Sequence, residues 1–596
     1  MHNDHINHLQ LNCKTDNITE KIMSIATQLF GISFKARIGQ LEIIEDILMT
    51  MSGKYGPITS YILEAPTGSG KSIIAMIISK YLNDCNLDGY ILTSDKALQD
   101  QYANDLDNWN IDWGVVKGVD NYKCHVNDQI YSLGDCKIKK LKSYAQQELK
   151  CFDSCAYIQA RNAASRSKTA ILNYSYALIQ RNYVCKNGDV TVTGKPMPFI
   201  QRDFVICDEA HKITDIIQSH FSPSINKKIL AVTKTCTTFY NKNNYSSVNF
   251  YQQISKIYNF LLKENDNTNL LETLEELHNV LFTMQIINET IVNYTSTAYV
   301  EWNLIPIEYQ DIIKHKDFIK DICCKIKDYI EIIKSTTIQC LIKTVDEKGT
   351  IIFNCLNEKF MMQSFFNKKF GFKIFMSATL GDLEQFAKNA ACAKVRVYKL
   401  PSTFQYDKSP IWVKTNNHLN YKNIGTKYDV LASECEWILK KHSSEQGIIH
   451  TSSFTIGNEV YNLLSKESQE RILLYTSTQE KEDYIRILKY DIKNRILMGP
   501  SILEGIDLPD NQSRFQIILK MPYPSLGNTF VKLKSEYDKS WYNMKTTLNI
   551  LQGIGRSIRN PTDWAETYIL DTNVIYLLKN RTFFSNEFLD RVKNYL

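Results

Sequence analysis

The chain is 596 residues long, with 44% hydrophobic and 22% charged residues. Such a length predicts several domains, and the composition excludes a disordered or fibrous protein. The formal net charge of +6 is small for the length, so it permits a nucleic-acid partner without indicating one. The polar N-terminus lacks the layout of a secretory signal, and no apolar run approaches the roughly 18–20 residues that span a bilayer. We therefore expect no membrane contact and a cytoplasmic location, or a nuclear one in a eukaryotic host.

Short apolar runs alternate with helical stretches in the first third of the chain. The runs have the composition of buried parallel strands and lie at residues 61–64, 90–94, 170–173 and 204–208. The stretches at 73–82 and 97–106 predict the crossover helices. In such an α/β layout, phosphate chemistry takes place at the carboxyl ends of the strands.

A glycine-containing loop follows the first of these strands, where residues 64–72 read Glu-Ala-Pro-Thr-Gly-Ser-Gly-Lys-Ser. Gly68 and Gly70 allow backbone N–H groups to close around phosphate oxygens. Lys71 is expected to reach the β- and γ-phosphates, and the Ser72 hydroxyl is expected to bind Mg²⁺. An alanine stands where the common phosphate-loop pattern has its first glycine. The residues expected to contact the nucleotide in this loop are Ala65, Pro66, Thr67, Gly68, Ser69, Gly70, Lys71 and Ser72.

Two acidic residues end and follow the strand predicted at 204–208, in the sequence Asp-Glu-Ala-His of residues 208–211. Asp208 is expected to hold Mg²⁺ through water, and Glu209 is expected to position the attacking water. Acidic residues after a buried strand commonly start turns, so this motif by itself indicates little. Together with the phosphate loop, it indicates a nucleoside triphosphatase.

The sequence changes character beyond these motifs. Residues 216–345 are rich in Ile, Leu, Asn, Lys and Tyr at helical spacing, and they predict a mostly helical insertion with helices at 270–284 and 312–333. Strand character returns at 372–378. A second α/β segment follows from about residue 400, and its predicted strands lie at 447–451, 495–499, 516–521 and 567–571.

Two clusters in the second α/β segment complete the predicted site. Residues 504–507 read Glu-Gly-Ile-Asp, and residues 552–560 read Gln-Gly-Ile-Gly-Arg-Ser-Ile-Arg-Asn. The spacing of Gln552, Arg556 and Arg559 predicts one side of a helix, from which the arginines could neutralise charge on the γ-phosphoryl group. A solvated basic face is the alternative for an Arg-x-x-Arg pattern by itself. A phosphate loop in one lobe and arginines in another predict a nucleotide between two lobes, which close on binding and open after hydrolysis.

These motifs resemble, in order and spacing, those of superfamily 2 helicases, and most closely those of the XPD/DinG branch. The resemblance rests on residues 65–72, 208–211, 377–379, 503–508 and 552–559, together with 37–40, 98–101 and 173–174. It covers nearly the whole chain except the helical insertion, whose size and position suit the arch domain of that branch. The implied fold is α/β, with two RecA-like parallel-sheet motor domains, a four-Cys iron–sulfur insertion and a helical arch-like insertion.

The resemblance implies an ATP-dependent DNA helicase with 5′→3′ polarity that uses ATP and Mg²⁺. By the same resemblance, the catalytic residues are Lys71, Glu209, Gln552, Arg556 and Arg559. The residues expected to bind the nucleotide outside the loop are Arg37, Gln40, Asp208, Gly505 and Asp507, with Arg37 and Gln40 near the base. His211 and residues 377–379 are expected to couple the γ-phosphate to the nucleic-acid groove. Asn573 stands where that branch has the arginine of an Asp-x-Arg sequence, which puts a role for that arginine in doubt.

Four cysteines lie between the phosphate loop and the Asp-Glu-Ala-His sequence, namely Cys124, Cys136, Cys151 and Cys155. Four thiolates suit either tetrahedral Zn²⁺ or a 4Fe–4S cluster, and their spacing does not decide between these groups or exclude free thiols. The XPD/DinG branch carries a 4Fe–4S cluster in this interval, so the resemblance favours iron–sulfur. A structural role is expected for it, in a small domain that acts as a wedge where the duplex parts.

The motifs divide the chain into six predicted segments. In order they are motor domain one, first part (1–110), the four-Cys insertion (111–165), motor domain one, second part (166–215), the arch-like insertion (216–345), motor domain one, last part (346–398), and motor domain two (399–596). The predicted partners are single-stranded and forked DNA, with protein partners possible at the helical insertion, and the chain is expected to be a monomer. Two other functions stay open, an RNA or RNA–DNA hybrid helicase and a nucleic-acid-binding scaffold that is switched by ATP.

Overall fold

The computed structural model describes residues 17–595 with several gaps. The gaps are 54–57, 67, 108–111, 127, 132–153, 181–183, 186–198, 264–268, 299–304, 337–339, 367–369, 391, 393, 402–405, 491–493, 501, 503–507, 509, 556 and 558–562. Within the described ranges, no helix is both long enough and apolar enough to cross a bilayer.

A parallel sheet forms the centre of the first lobe. Its seven described strands are, in spatial order, Val395–Lys399, Ser60–Glu64, Phe372–Ser377, Phe204–Asp208, Gly89–Thr93, Thr169–Asn173 and Trp113–Val115. The inner strands are rich in Ile, Leu, Phe and Tyr side chains that are buried on both faces, as expected for a parallel sheet between two layers of helices. Because all these strands are parallel, their carboxyl ends meet along one edge.

Helices cover both faces of this sheet. They are Ile18–Phe30, Gln40–Met51, Lys71–Asp84, Lys96–Asp107, Ala156–Arg166, Tyr174–Gln180, Ile213–His220, Glu358–Phe366 and Leu383–Asn389. Short 3₁₀ turns lie at Val119–Asn121 and Ala210–Lys212, and a small parallel pair joins Val184–Cys185 to Phe199–Ile200. The crossover helices predicted at 73–82 and 97–106 are present and extend slightly beyond these limits.

A second parallel sheet forms the second lobe. Its described strands are, in spatial order, Ile472–Leu474, Ile496–Gly499, Gly447–His450, Phe515–Ile518, Glu566–Ile569, Ile411–Lys414 and Val592–Tyr595. Its helices are Tyr428–Lys441, Phe454–Leu463, Lys466–Arg471, Thr478–Tyr490, Thr529–Tyr537, Lys539–Ile554, Asn573–Leu578 and Asn586–Asp590. Short 3₁₀ turns lie at Tyr406–Lys408, Ile424–Thr426 and Asp510–Gln512. Two parallel seven-stranded sheets with flanking helices confirm the predicted α/β, two-lobe fold.

Four helices form the insertion after the first lobe's Asp-Glu-Ala-His sequence. They are Lys228–Lys242, Phe250–Lys263, Leu270–Ala298 and Ile307–Ser335. The last two pack along each other as a long hairpin. A small antiparallel sheet, which the sequence did not predict, lies at the base of the insertion and consists of Ser224–Ile225, Ile351–Cys355 and Leu341–Val345.

One continuous hydrophobic core joins the insertion to the first lobe. Val205 in the central sheet and Leu274 and Ile326 in the helical hairpin belong to the same cluster of buried side chains. Full burial of one such side chain contributes about 1.5–3 kcal/mol, so a core of this extent fixes the insertion against the sheet. The insertion is therefore an extension of the first lobe rather than an independently packed unit.

Two helices of the second lobe contact the first lobe and the base of the insertion. In helix Thr529–Tyr537, Lys534 forms a buried ion pair with Glu358, and the Tyr537 hydroxyl lies 3.2 Å from Cys340 Sγ. In helix Lys539–Ile554, Lys545 forms an ion pair with Asp215, which lies shortly after the Asp-Glu-Ala-His sequence. These contacts bring the second lobe against the edge of the first sheet where its strands end.

Candidate nucleotide site

The loop between strand Ser60–Glu64 and helix Lys71–Asp84 has the backbone shape of a phosphate cradle. Gly68 and Gly70 both have φ 80°, in the left-handed region that favours glycine. A Cβ atom on Gly70 would lie 2.4 Å from the side-chain nitrogen of Gln40. The left-handed backbone therefore favours glycine at this position, and a Cβ atom there would also displace the Gln40 amide.

Gln40, which the resemblance places near the base of the nucleotide, holds the backbone of this loop. Its buried side chain donates to the Ser69 carbonyl at 2.7 Å and accepts from the Arg37 backbone N–H at 2.7 Å. The Arg37 guanidinium itself extends toward Gly70, and an atom of it would lie 3.6 Å from a Cβ there. Arg37 and Gln40 therefore both lie at the loop, where Gln40 shapes the cradle through its backbone.

Lys71 and the two acidic residues meet at the carboxyl edge of the first sheet. Lys71 Nζ lies 3.8 Å from Glu209 Oε1 and 3.4 Å from the Ala65 carbonyl oxygen. Asp208 ends its strand and is 1% exposed. Glu209 follows it with φ 51°, a left-handed conformation that is strained for a non-glycine residue and turns its side chain toward Lys71.

The two carboxylates have opposite electrostatic environments. Burial, together with the neighbouring Glu209, raises the pKa of Asp208 to about 6. Burial also acts to raise the pKa of Glu209, but Lys71 and a hydrogen bond to His211 outweigh it and hold this pKa well below its usual value. Glu209 is therefore charged at neutral pH, as a residue that orients water requires.

His211 links Glu209 to the neighbouring strand. Its Nδ1 lies 3.2 Å from Glu209 Oε2 and 2.8 Å from Ser377 Oγ, and the Ser377 hydroxyl also contacts the Thr379 carbonyl at 3.0 Å. The turn after this strand continues to Gly381, where a Cβ atom would lie 3.0 Å from Met544 of the second lobe. A chain of contacts thus runs from the acidic pair to the second lobe.

Three buried polar atoms around the cradle have no hydrogen-bond partner within the described part of the chain. They are Ser69 Oγ, His211 Nε2 and Thr379 Oγ1. Buried polar atoms normally have hydrogen-bond partners, so three unpaired atoms around one loop indicate that a bound polar group supplies the missing partners. With Lys71 and the N-terminus of helix Lys71–Asp84, they suit a phosphate anion.

A cavity of about 190 Å³ lies between the lobes beside this site. It is lined by His211, Lys212, Asp215, Ile216, Lys545, Leu548, Asn549 and Gln552. Gln552 and His211 of the Asp-Glu-Ala-His sequence therefore line the same cavity. Gln552 lies in the last turn of helix Lys539–Ile554, which ends before the two arginines.

The described helix that carries Gln552 ends at Ile554, and the helix face predicted to continue to Arg556 and Arg559 lies outside the described residues. Gly555 caps it, and Ser557 lies in a bend where its hydroxyl contacts Ser513 Oγ at 2.7 Å. Other predicted site residues lie outside the described residues, namely Thr67, Cys136, Cys151, Gly505, Asp507, Arg556 and Arg559.

The segments that carry the first and last of the four cysteines meet. His125 Nε2, next to Cys124, lies 2.9 Å from the hydroxyl of Ser154, next to Cys155. Both thiols are largely buried, and Cys155 occupies the N-cap of helix Ala156–Arg166. Within the described ranges no three metal-ligating side chains cluster, but half of the predicted ligand set lies on adjoining segments. This arrangement fits a sulfur-ligated group.

Tyr102 is a polar residue of the site that sequence reasoning missed. It lies in helix Lys96–Asp107, and its hydroxyl donates to Asp208 Oδ2 at 3.0 Å. Asp208 Oδ1 accepts from the Glu209 backbone N–H at 2.9 Å. Since 106 residues separate Tyr102 from Asp208, no local pattern could have indicated this contact.

Family models match both lobes of the chain. The model described as "Type III restriction enzyme, res subunit" matches residues 33–240, and the model described as "Helicase C-terminal domain" matches residues 436–586. Among solved structures, S. tokodaii Xpd4 superimposes with a TM-score of 0.56 at 14% identity, over 94% of this chain and 100% of that one. A structure titled XPD_Helicase gives 0.57 at 15% identity, over 94% and 99%.

The chain carries a helicase C-terminal domain and has the fold of the XPD structures, in agreement with the predicted XPD/DinG-type family. The two matched family models also support the predicted class of enzyme, an ATP-dependent helicase.

Curated relatives of this helicase match over a short stretch. The regulator of telomere elongation helicase 1 homolog of Drosophila sechellia is 29% identical over 114 residues, which cover 16% of this chain and 12% of that protein. The homolog of Caenorhabditis briggsae is 31% identical over 87 residues, which cover 12% and 9%. The matches therefore span about a tenth of these relatives.

Proposed function

We propose that the chain is an ATP-dependent DNA helicase that moves 5′→3′ along a single strand and separates duplex DNA. The observation that carries this proposal is the chain of contacts from Glu209 through His211 and Ser377 to Gly381, against Met544 of the second lobe. A group that senses the γ-phosphate and also contacts the other lobe can convert hydrolysis into relative movement of the lobes.

Each residue of the first lobe has a defined part in this proposal. Lys71 leaves the Ala65 carbonyl and binds the β- and γ-phosphates, while Ser72 and Asp208 hold Mg²⁺, which bridges those phosphates and neutralises developing charge. Glu209 orients the attacking water. Gln552, on the second lobe, contacts the γ-phosphate across the cleft, so that the position of this lobe depends on the presence of that phosphate.

We assign the remaining roles by resemblance. Arg556 and Arg559 are proposed to neutralise the transferred phosphoryl group, and Gly505 and Asp507 to complete the nucleotide site. The six-segment domain division and a monomeric state belong to the same proposal, as does a cytoplasmic or, in a eukaryotic host, nuclear location.

The names of the relatives favour DNA as the substrate. The curated proteins are named as regulators of telomere elongation, and telomeres are DNA. Single-stranded and forked DNA in repair, replication or recombination are therefore the proposed substrates.

A 4Fe–4S cluster is proposed at Cys124, Cys136, Cys151 and Cys155. Its support is the adjoining position of the Cys124 and Cys155 segments and the softness of four thiolates. Such a group, when bound, supplies a covalent cross-link among distant segments rather than a step in ATP hydrolysis. The four thiolates would hold a small domain rigid against the motor.

The test of the helicase compares wild type with Lys71→Ala on forks that carry a 5′ or a 3′ tail, and on RNA duplexes. We expect wild type to unwind only the 5′-tailed DNA fork and the variant to lose ATP hydrolysis by more than about 100-fold. Lys80→Ala is the matched control, because Lys80 lies on the same helix and forms an ion pair with Asp84 at the surface. Hydrolysis retained by Lys71→Ala contradicts the site, and strand separation without polarity contradicts the translocation mechanism.

The test of the cluster is iron and labile-sulfide analysis of anaerobically purified wild type and Cys155→Ser. Serine is a favoured N-cap, so this change keeps helix Ala156–Arg166 while it removes one thiolate. We expect about four irons in wild type and loss of the brown absorbance in the variant. Cys324→Ser, in the helical insertion, is the control. Zinc without iron in wild type contradicts the cluster.

A further inference from the structure

Tyr102 occupies the space between helix Lys96–Asp107 and the end of strand Phe204–Asp208. Its side chain is 1% exposed, and its hydroxyl donates to Asp208 Oδ2 at 3.0 Å. It contacts neither the phosphate loop backbone nor the second lobe through any hydrogen bond in the described part of the chain. Its polar atom is therefore directed at the two residues that the proposed function assigns to Mg²⁺.

The second of those residues is Ser72. Burial raises the pKa of the Tyr102 hydroxyl, and a side-chain interaction with Ser72 opposes this rise, as a hydrogen bond from Ser72 would. Ser72 lies in the first turn of helix Lys71–Asp84, directly after the phosphate loop. The buried Tyr102 hydroxyl thus lies between Ser72, which begins the helix after the phosphate loop, and Asp208, which ends strand Phe204–Asp208.

The Tyr102 hydroxyl can donate one hydrogen bond and accept others, so the donation to Asp208 decides which part of the hydroxyl faces Ser72. A tyrosine hydroxyl donates one proton and accepts others, so donation to Asp208 leaves its lone pairs for the Ser72 proton. When the Ser72 proton is directed to Tyr102, the lone pairs of Ser72 Oγ are directed elsewhere. A hydroxyl that binds a cation needs that arrangement, since a proton directed at the metal would oppose binding.

We propose that Tyr102 is a positioning residue that sets the orientation of both Mg²⁺-binding side chains, Ser72 and Asp208. This inference rests on the proposed function and deepens it, because it adds a residue that acts through the ligands and touches neither nucleotide nor metal. Partners behind metal ligands commonly change metal affinity by 10–100-fold when they are removed.

The test is Tyr102→Phe, which removes the hydroxyl and keeps the ring that fills the buried space. A fluorescent ADP analogue is bound to wild type and variant with EDTA and across an Mg²⁺ titration. We expect the Mg²⁺ concentration for half-maximal enhancement of binding to rise about tenfold in the variant, with affinity in EDTA unchanged within twofold. Excess Mg²⁺ should restore most of kcat in ATP hydrolysis.

Tyr329→Phe is the matched control, because Tyr329 is equally buried and donates to the Asn354 carbonyl far from the site. Binding stoichiometry in EDTA measures the folded fraction, so partial unfolding of the variant does not obscure the result. An Mg²⁺ requirement equal in wild type and Tyr102→Phe overturns the inference, as does an equal loss of affinity with and without Mg²⁺. Wild type that binds no nucleotide overturns the proposed function instead.

Discussion

Two buried aspartates lie at corresponding places in the two lobes, each at the carboxyl end of a strand, and their surroundings differ. Asp208 in the first lobe accepts from Tyr102 and from one backbone N–H. Asp571 in the second lobe accepts from the backbone N–H groups of Leu419, Met521 and Asn573 at 3.0–3.3 Å and from the Asn573 amide at 2.8 Å.

The difference shows how the same residue type serves a site in one lobe and the fold in the other. A carboxylate offers about four acceptor positions, so Asp571 is saturated by its own lobe and Asp208 keeps capacity for a further group. Asn573 accounts for the structural part of Asp571. Its amide donates to Asp571 and also to the Leu419 carbonyl at 2.6 Å, so both side chains hold the same turn of the second lobe. The side chain that replaces the arginine of the XPD/DinG pattern is therefore used within the lobe.

The largest expected effect concerns a third buried carboxylate, Glu358, which forms an ion pair with Lys534. Their side chains are 7% and 3% exposed, and the pair joins the two lobes. Lys534→Met leaves a buried charge unpaired, so we expect the free energy of unfolding to fall by about 3–5 kcal/mol in urea denaturation. The double variant with Glu358→Leu should recover most of this loss.

Lys545→Met supplies the control for that experiment. Its pair with Asp215 also joins the lobes but is substantially exposed, so we expect a loss of at most about 1 kcal/mol. A similar small loss for Lys534→Met would show that its burial does not isolate the pair from water.

Exchange of each aspartate for asparagine sharpens the contrast between the lobes. Asp208→Asn should lower kcat for ATP hydrolysis by more than about 100-fold, or about 2.7 kcal/mol, because the neutral amide holds Mg²⁺ poorly. Asp571→Asn should leave kcat of the folded protein within about threefold but lower the free energy of unfolding by about 2 kcal/mol, since an amide cannot accept all four donors.

The assays are steady-state hydrolysis and urea denaturation on the same preparations. Stable, inactive Asp571→Asn protein would assign that residue to the site. Active Asp208→Asn protein would remove Asp208 from it.

The smallest expected effect is a pH dependence of stability. The pKa of Asp208 is raised in the folded chain to about 6 from 3.8. Its contribution to stability is therefore present below pH 3.8 and is lost as the pH rises toward 6, because the folded state must then bury a charge. In nucleotide-free protein, Asp208→Asn should become more stable relative to wild type by about 1–3 kcal/mol between pH 4 and pH 7.

Denaturation of both proteins at the two pH values measures this difference. Asp571→Asn is the comparison, because the pKa of Asp571 is also raised by burial but its four donors oppose the shift. A difference between wild type and Asp208→Asn that does not change with pH would contradict the raised pKa.

Short sequence patterns predicted every inner strand of the two large sheets except Ile411–Lys414, and they missed all four edge strands. Phe204–Asp208 and Gly447–His450 are continuous apolar runs because both faces of each strand are covered. The edge strands Val395–Lys399, Trp113–Val115, Ile472–Leu474 and Val592–Tyr595 are short or mixed in polarity. An edge strand needs only one neighbour and less burial, so its sequence carries a weaker signal.

The order of the lobes, the phosphate loop and the acidic pair can be predicted from the amino-acid sequence alone, because each depends on residues that are adjacent in the chain. The side chains that support them become apparent only when distant segments are folded together. Gln40 under the loop, Tyr102 behind Asp208 and Lys534 against Glu358 act across 29, 106 and 176 residues. The end of the helix at Ile554 also depends on tertiary contacts. Shortly after it, the Ser557 hydroxyl forms a hydrogen bond with Ser513 of another element, which the helical pattern of the neighbouring residues does not indicate.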